Sequence, residues 1–114
     1  MTATPWLGDA CSLVDAFRSD GRKPSDELDA VLRAVDASTL NAMPFLDVDG
    51  ARATVAKADV SLPFGGVPIG VKELEPVEGW PATDASVVFA DRIADQTATV
   101  VRRLEGAGVV KVGQ

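Results

Sequence analysis

The chain has 114 residues and a mass of 11.9 kDa, which is the size of one small domain. With 46% hydrophobic residues and a mean hydropathy of +0.13, its composition is typical of a protein that folds around a core and not of a disordered one. A net charge of −6, with no run of Lys and Arg longer than two residues, argues against binding to nucleic acids or to anionic membrane surfaces.

Two helices are predicted near the start of the chain. The first covers about 8–19 and carries apolar residues on one side, and Gly21, a residue type favoured just after a helix, fits its stop signal. The second has Ser25 as its N-cap and acidic residues in its first turn. Apolar residues then recur at i, i+3, i+4 and i+7 from Leu28 to Val35, which predicts an amphipathic helix that runs to about Ala37.

A third helix and a first strand are predicted in the middle of the chain. Asp49 can cap an Ala-rich helix over 49–59, and the pair Gly65-Gly66 then breaks the helical pattern. The apolar run Val67–Val71 is short and bounded by turn residues, which predicts a buried strand. Because Pro68 has no backbone N–H, this strand is expected at the edge of a sheet or in an irregular extended segment.

The last third of the chain predicts a long loop, a helix and a second strand. No periodicity persists over 73–92, and loops of this length in a compact domain are usually functional or disordered, or indicate a wrong assignment. Asp95 is predicted to cap a helix that ends at Gly106 or Gly108, and Val109–Val112 predicts a buried strand. This order favours an α/β fold with a parallel pair of strands. Two strands with open edges make an incomplete sheet, so the chain is expected to be part of a larger fold.

The sequence contains no histidine. This excludes Ser-His-Asp and Cys-His catalysis by the residues of this chain and the commonest metal-ligand sets, so no metal is expected. No cofactor is expected either, because Gly65-Gly66 is not part of a G-x-x-x-x-G-K-[ST] motif that would hold a nucleotide phosphate. A general base would have to be Asp, Glu or Lys. No apolar stretch is long enough to span a bilayer, and the N-terminus lacks a secretory signal. The lone Cys11 cannot form an internal disulfide, and these features together predict a cytoplasmic protein.

Five motifs follow one another along the chain. The most specific is GVPIGVKE, Gly66–Glu73, which resembles a GVP-x-x-VKD segment. The others are Leu40–Ala42 followed by Phe45 ("LNAF"), the Ala-rich helix over 49–59, Gly79–Thr83 followed by Ser86 ("G-x-P-T-x-GS"), and 98–104 with 107–113 ("ATVV-x-RL…AGAV-x-VGK"). In their order and spacing along the chain, over about 12–114, these motifs resemble the amidase signature family.

The resemblance implies an N-terminal helical region over 1–62 and, over 63–114, the start of the family's α/β core, left incomplete. It also implies a hydrolase of amide C–N bonds that uses a serine nucleophile, a second serine in a cis peptide and a lysine base. Lys72 occupies the position of that lysine. A lysine accepts a proton only when it is neutral, and burial lowers its pKa by disfavouring the charged form. The apolar approach from Phe64 to Val71 is expected to supply that burial.

The sequence departs from the family pattern in ways that limit what it can do. Glu73 replaces the usual Asp, and Asp84-Ala85 stand where a small residue and Gly usually precede Ser86. The family's two serines lie in a Gly/Ser-rich segment, and no such segment surrounds any serine of this chain: Ser12, Ser19, Ser25, Ser38, Ser61 or Ser86. The chain is therefore expected to supply only the lysine base, and not to be active alone.

An alternative interpretation is a non-catalytic interaction module, or a decayed amidase fragment, that binds a partner through its exposed sheet edge. In the leading interpretation the partners are a small-molecule amide and either a second copy of the chain or a companion chain that completes the sheet. The residues do not indicate which amide, because the substrate-binding residues would lie mostly elsewhere.

Overall fold

The computed structural model describes residues 4–114, which form four α-helices, one 3-10 helix and two β-strands. In chain order these are α1 (Ala10–Arg18), α2 (Pro24–Ala37), α3 (Val48–Val55), β1 (Pro68–Gly70), the 3-10 helix (Val87–Phe89), α4 (Thr99–Gly106) and β2 (Val110–Gly113). No helix in this part of the chain combines the length and the apolar character needed to cross a membrane.

The two strands form a parallel pair, which confirms the predicted α/β class. Pro68 pairs with Val110 and Gly70 with Gly113, with an irregularity between Ile69 and Gly70. Helix α4 makes the crossover between the strands, as parallel pairing requires.

The prediction that both outer edges of the sheet are open was wrong for β2. The peptide groups of Phe45 and Gln114 exchange hydrogen bonds of 3.2 and 3.0 Å, and the Asp47 N–H donates to the Val112 carbonyl at 2.9 Å. Leu46 thereby forms an antiparallel bridge with Gly113 and covers the second edge of β2, which is the edge that faces away from β1. Among residues 4–114, no strand pairs with the second edge of β1.

Three predicted helix caps were wrong, because each of these helices begins after a different residue from the one predicted. Helix α2 begins at Pro24 with Lys23 as N-cap, since the fixed φ of proline suits the first helical position and Ser25 already lies inside the helix. Asp47, two residues before the predicted Asp49, caps α3 by accepting from the Gly50 N–H at 3.0 Å. Helix α4 starts after Ala98, without a side-chain cap, and not at Asp95.

The core consists of three clusters that tie the helices to the sheet. Leu13, Val14 and Phe17 of α1 pack with Val67. Leu28 of α2 and Ala51 of α3 pack against Val110 and Val112 of β2. The third cluster joins Val71, Val77, Trp80 and Val101, so it connects the end of β1 to the long loop and to α4.

The glycine pair before β1 allows two backbones to pass at close range. A Cβ on Gly65 would lie 1.9 Å from the Asp59 carbonyl oxygen, a distance at which backbone would have to move. Gly66 has a φ of 88° and donates its N–H to the Gly108 carbonyl at 2.9 Å. The two glycines therefore let the chain enter β1 beside the turn that leads into β2.

Candidate functional site

Lys72 lies at the carboxyl edge of the sheet, two residues after the end of β1. The N–H of Val71 donates to the Gly113 carbonyl at 2.9 Å, so the strand pairing holds the backbone as far as the residue before Lys72. Gln114 directly follows β2 at the same edge. Ligands of open α/β sheets bind outside this edge, where the strands end.

The Lys72 side chain is exposed in the described part of the chain. The expectation that Phe64–Val71 would bury it was wrong, because the apolar side chains of that segment turn into the core instead. Val67 joins the cluster on α1, and Val71 joins the cluster around Trp80. The segment thus anchors the strand but leaves the lysine that follows it facing solvent.

Glu73 binds the long loop with one carboxylate oxygen. Its Oε1 accepts hydrogen bonds from the Thr83 N–H at 2.5 Å, the Thr83 hydroxyl at 2.7 Å and the Asp84 N–H at 3.0 Å. The bond from the Thr83 side chain is the main reason why the pKa of Glu73 is lowered, and partial burial acts in the opposite direction. The residue next to Lys72 is therefore fixed to a turn ten positions further on.

Gln114 holds the same loop from the end of β2. Its side chain is 7% exposed, and its Nε2 donates to the Pro81 carbonyl at 2.5 Å. Its Oε1 is buried, without a hydrogen-bond partner among residues 4–114. The segment Trp80–Ser86, which we call the edge loop, is thus attached to the residues that follow both strands.

Residues outside the edge loop support it further. Trp80 is buried, packs its ring 5.3 Å from that of Phe45 and donates its Nε1–H to Asp47 at 3.1 Å. Arg92 donates to the Ala82 carbonyl and to the Asp84 carboxylate, each at 2.5 Å. The ring contact with Phe45 and the hydrogen bond to Asp47 make Trp80 an anchor of the edge loop.

Two residues of the edge loop adopt left-handed backbone conformations. Asp84 has a φ of 51° and Ala85 a φ of 54°, at the position where the family pattern has glycine. Ser86 then accepts from the Val88 N–H at 3.2 Å and caps the 3-10 helix. The loop therefore keeps its path without the usual glycine, at the cost of local strain.

A cleft of about 440 Å³ lies beside the edge loop. Leu74, Pro76 and Ile93 give it apolar walls, and Glu73 and Arg92 give it polar ones. No group of three or more carboxylate or thiol side chains that could hold a metal ion occurs in the described residues.

Sequence reasoning identified Lys72 but not the residues that surround it. Glu73 stood out only as a departure from the family pattern, and Gln114 was not singled out. The signal that could have located this site is the polar residue that comes after each of the two predicted parallel strands, Lys72 after the first and Gln114 after the second.

A family model and two known proteins are similar to this chain in sequence. Residues 27–114 match the family model described as Amidase. The chain is 38% identical over 110 residues to a glutamyl-tRNA(Gln) amidotransferase subunit of Acidobacterium capsulatum, covering 89% of this chain and 23% of that protein. It is 30% identical over 118 residues to an acylamidase of Rhodococcus erythropolis, covering 96% of this chain and 24% of the relative.

A solved structure is also similar over almost the whole chain. The chain superposes on 6-aminohexanoate cyclic dimer hydrolase, determined in complex with substrate, with a TM-score of 0.86 and 27% identity. That match covers 94% of this chain and 23% of the hydrolase. The chain therefore spans about a quarter of the length of the relatives it matches.

Proposed function

Because the chain belongs to the amidase family, we propose that it supplies Lys72 as the general base of an enzyme that hydrolyses amide C–N bonds. The observation that carries this proposal is the position of Lys72, at the carboxyl edge of the sheet and inside the segment that resembles the family's lysine motif. The similarity to an acylamidase and to a cyclic dimer hydrolase supports an amide as the substrate class.

In the proposed reaction, the neutral Lys72 amine takes the proton of a serine hydroxyl as the serine oxygen attacks the amide carbonyl carbon. The tetrahedral intermediate collapses, the C–N bond breaks and the leaving amine takes a proton, which leaves an acyl-enzyme. Water then attacks the ester and releases the acid. No serine of this chain matches the family's Gly/Ser-rich segment, so the nucleophile and the second serine belong to another stretch of polypeptide, in the same gene product or in a companion chain.

The proposal requires that something covers Lys72 in the working enzyme. In water the ammonium form of lysine dominates at neutral pH, and removal from water favours the neutral base. The polypeptide that carries the serines would also pair with the second edge of β1 and desolvate the lysine. Association with that polypeptide would then extend the sheet and also make Lys72 available as a base.

The test is Lys72→Met in the protein as its native gene expresses it, assayed for ammonia or amine release from a panel of amides. Removal of a general base is expected to lower turnover by about 10²- to 10⁴-fold. Lys57→Met is the matched control, because Lys57 is an exposed lysine just beyond α3. Turnover that survives in the Lys72 variant would refute the proposed role.

The second edge of β1, unpaired among residues 4–114, also favours the alternative of a non-catalytic binding module. In that case a partner strand would add to β1 and no amide would be turned over. Two results together would favour the binding module over the enzyme. The wild-type protein would co-purify with a stoichiometric partner, and it would turn over no amide of the panel.

A further inference from the structure

We propose that Glu73 is a positioning residue for Lys72, a role that rests on the proposed function of Lys72 as a base. The carboxylate does not need to touch the substrate. It fixes the direction of the backbone from which the lysine side chain extends, by joining the residue after Lys72 to the edge loop.

Hydrogen bonds hold the backbone on both sides of Lys72. On the N-terminal side, the Val71 N–H donates to the Gly113 carbonyl at 2.9 Å. On the C-terminal side, the Lys72 carbonyl accepts from the Glu75 N–H at 2.9 Å, which closes a turn. Between these two bonds lies Glu73, whose Oε1 accepts from three donors.

The turn that donates to Glu73 is itself held in place by other contacts. The three hydrogen bonds to Oε1, which we call the clamp, therefore connect the end of β1 to a fixed turn of the edge loop. Arg92 binds the Asp84 carboxylate and the Ala82 carbonyl. Gln114, at the end of the neighbouring strand, binds Pro81. A carboxylate that accepts several hydrogen bonds from a braced turn is a stronger support than one that points into solvent.

Loss of the clamp should affect catalysis more than binding. A base misplaced by about 1 Å can lower the rate about 10²-fold, even when the change lies away from the reacting atoms. We therefore expect Glu73→Leu, which is similar in size but accepts no hydrogen bond, to lower kcat by about 10- to 100-fold with little change in KM. Glu73→Gln keeps an acceptor oxygen without the charge and should recover part of that loss.

The kinetic experiment compares both Glu73 variants with Glu75→Leu in the native gene product, using the amide that gives the highest turnover. No side-chain hydrogen bond or ion pair of Glu75 is present among residues 4–114, so this variant controls for the loss of a nearby carboxylate. The limb of the pH–rate profile that reports the base is expected to shift in Glu73→Leu and not in the control. A Leu variant with the kcat and pH profile of the wild type would overturn the positioning role, even if its melting temperature fell.

A second measurement does not depend on turnover. Amide hydrogen exchange is followed at Val71 and Glu75, whose N–H groups make the two bonds that flank Lys72. In Glu73→Leu we expect exchange at both sites to accelerate about tenfold or more. Faster exchange only at Thr83 and Asp84 would refute the role, because the clamp would then hold the loop and not the lysine.

The two proposals fail in different ways. Activity that survives Lys72→Met refutes the base, whatever Glu73 does. Activity that is lost in Lys72→Met but unchanged in Glu73→Leu, with a wild-type pH profile, refutes the positioning role and leaves the base intact.

Discussion

Replacing Ala85 with glycine should stabilise the protein, although glycine usually destabilises. Ala85 has a φ of 54° and follows Asp84, which has a φ of 51°. In this left-handed region the Cβ of an L-residue crowds its own backbone, and glycine has no Cβ. Ala85 is exposed, so its methyl group contributes little packing that the substitution could remove.

The magnitude follows from two opposing effects. Relief of the left-handed conformation is worth about 1–2 kcal/mol. Glycine also gives the unfolded chain more freedom, which costs about 0.4–1 kcal/mol. The net expectation for Ala85→Gly is an increase of about 0.5–1 kcal/mol in the free energy of unfolding, or a rise of roughly 2–6 °C in Tm.

Urea denaturation of the 114-residue chain measures this difference directly. Ala90→Gly is the matched control: Ala90 is also exposed and lies in the same long loop, but its φ is −54°, which any residue adopts. That variant should lose about 0.4–1 kcal/mol. Equal destabilisation by the two substitutions would show that Ala85 carries no backbone strain and would refute the reasoning.

Two further predictions concern the core and the acid response. Leu28 is 1% exposed and packs against Ala51, Val110 and Val112. Leu28→Ala should therefore lower the free energy of unfolding, measured by urea denaturation, by about 2–5 kcal/mol. Leu40 is 82% exposed, so the control Leu40→Ala should change it by less than about 0.5 kcal/mol. The hydrogen bond from the Thr83 side chain lowers the pKa of Glu73 in the folded protein below its ordinary value of 4.5. The Glu73 carboxylate therefore stabilises the fold above pH 4.5, and this stabilisation is lost as the pH falls through the lowered pKa. The difference in unfolding free energy between wild type and Glu73→Gln should therefore shrink with acidification, and a difference independent of pH would contradict this assignment.

The sequence predicted the elements whose patterns are local. The spacing from Leu28 to Val35 located α2, and the apolar runs over 67–71 and 109–112 located β1 and its parallel partner β2. The N-caps were less predictable, because α2 and α4 begin without a side-chain cap and two aspartates, Asp47 and Asp49, lie at the start of α3. Asp47 was overlooked as the cap of α3, and its carboxylate also accepts the Trp80 Nε1–H, a bond between residues 33 positions apart.

The surroundings of Lys72 depend on contacts that no local pattern encodes. The bond from Thr83 to Glu73 exists only because the edge loop folds back onto the end of β1. The exposure of Lys72 follows from the direction of its neighbours: Val71 turns into the core, and the next residue of the chain faces outward. The motif located the lysine in the sequence, and the three-dimensional packing decided what surrounds it.

Pro68 limits what can attach to the second edge of β1. The Val67 carbonyl accepts from Val110 and the Val71 N–H donates to Gly113, so both groups face β2. Because peptide groups alternate along a strand, those of Pro68 and Gly70 face the other side. Proline has no N–H, so this edge offers a single donor, from Gly70, between two carbonyl acceptors. Two copies that met there would gain few backbone bonds, so stable attachment has to come from a partner that also buries side chains.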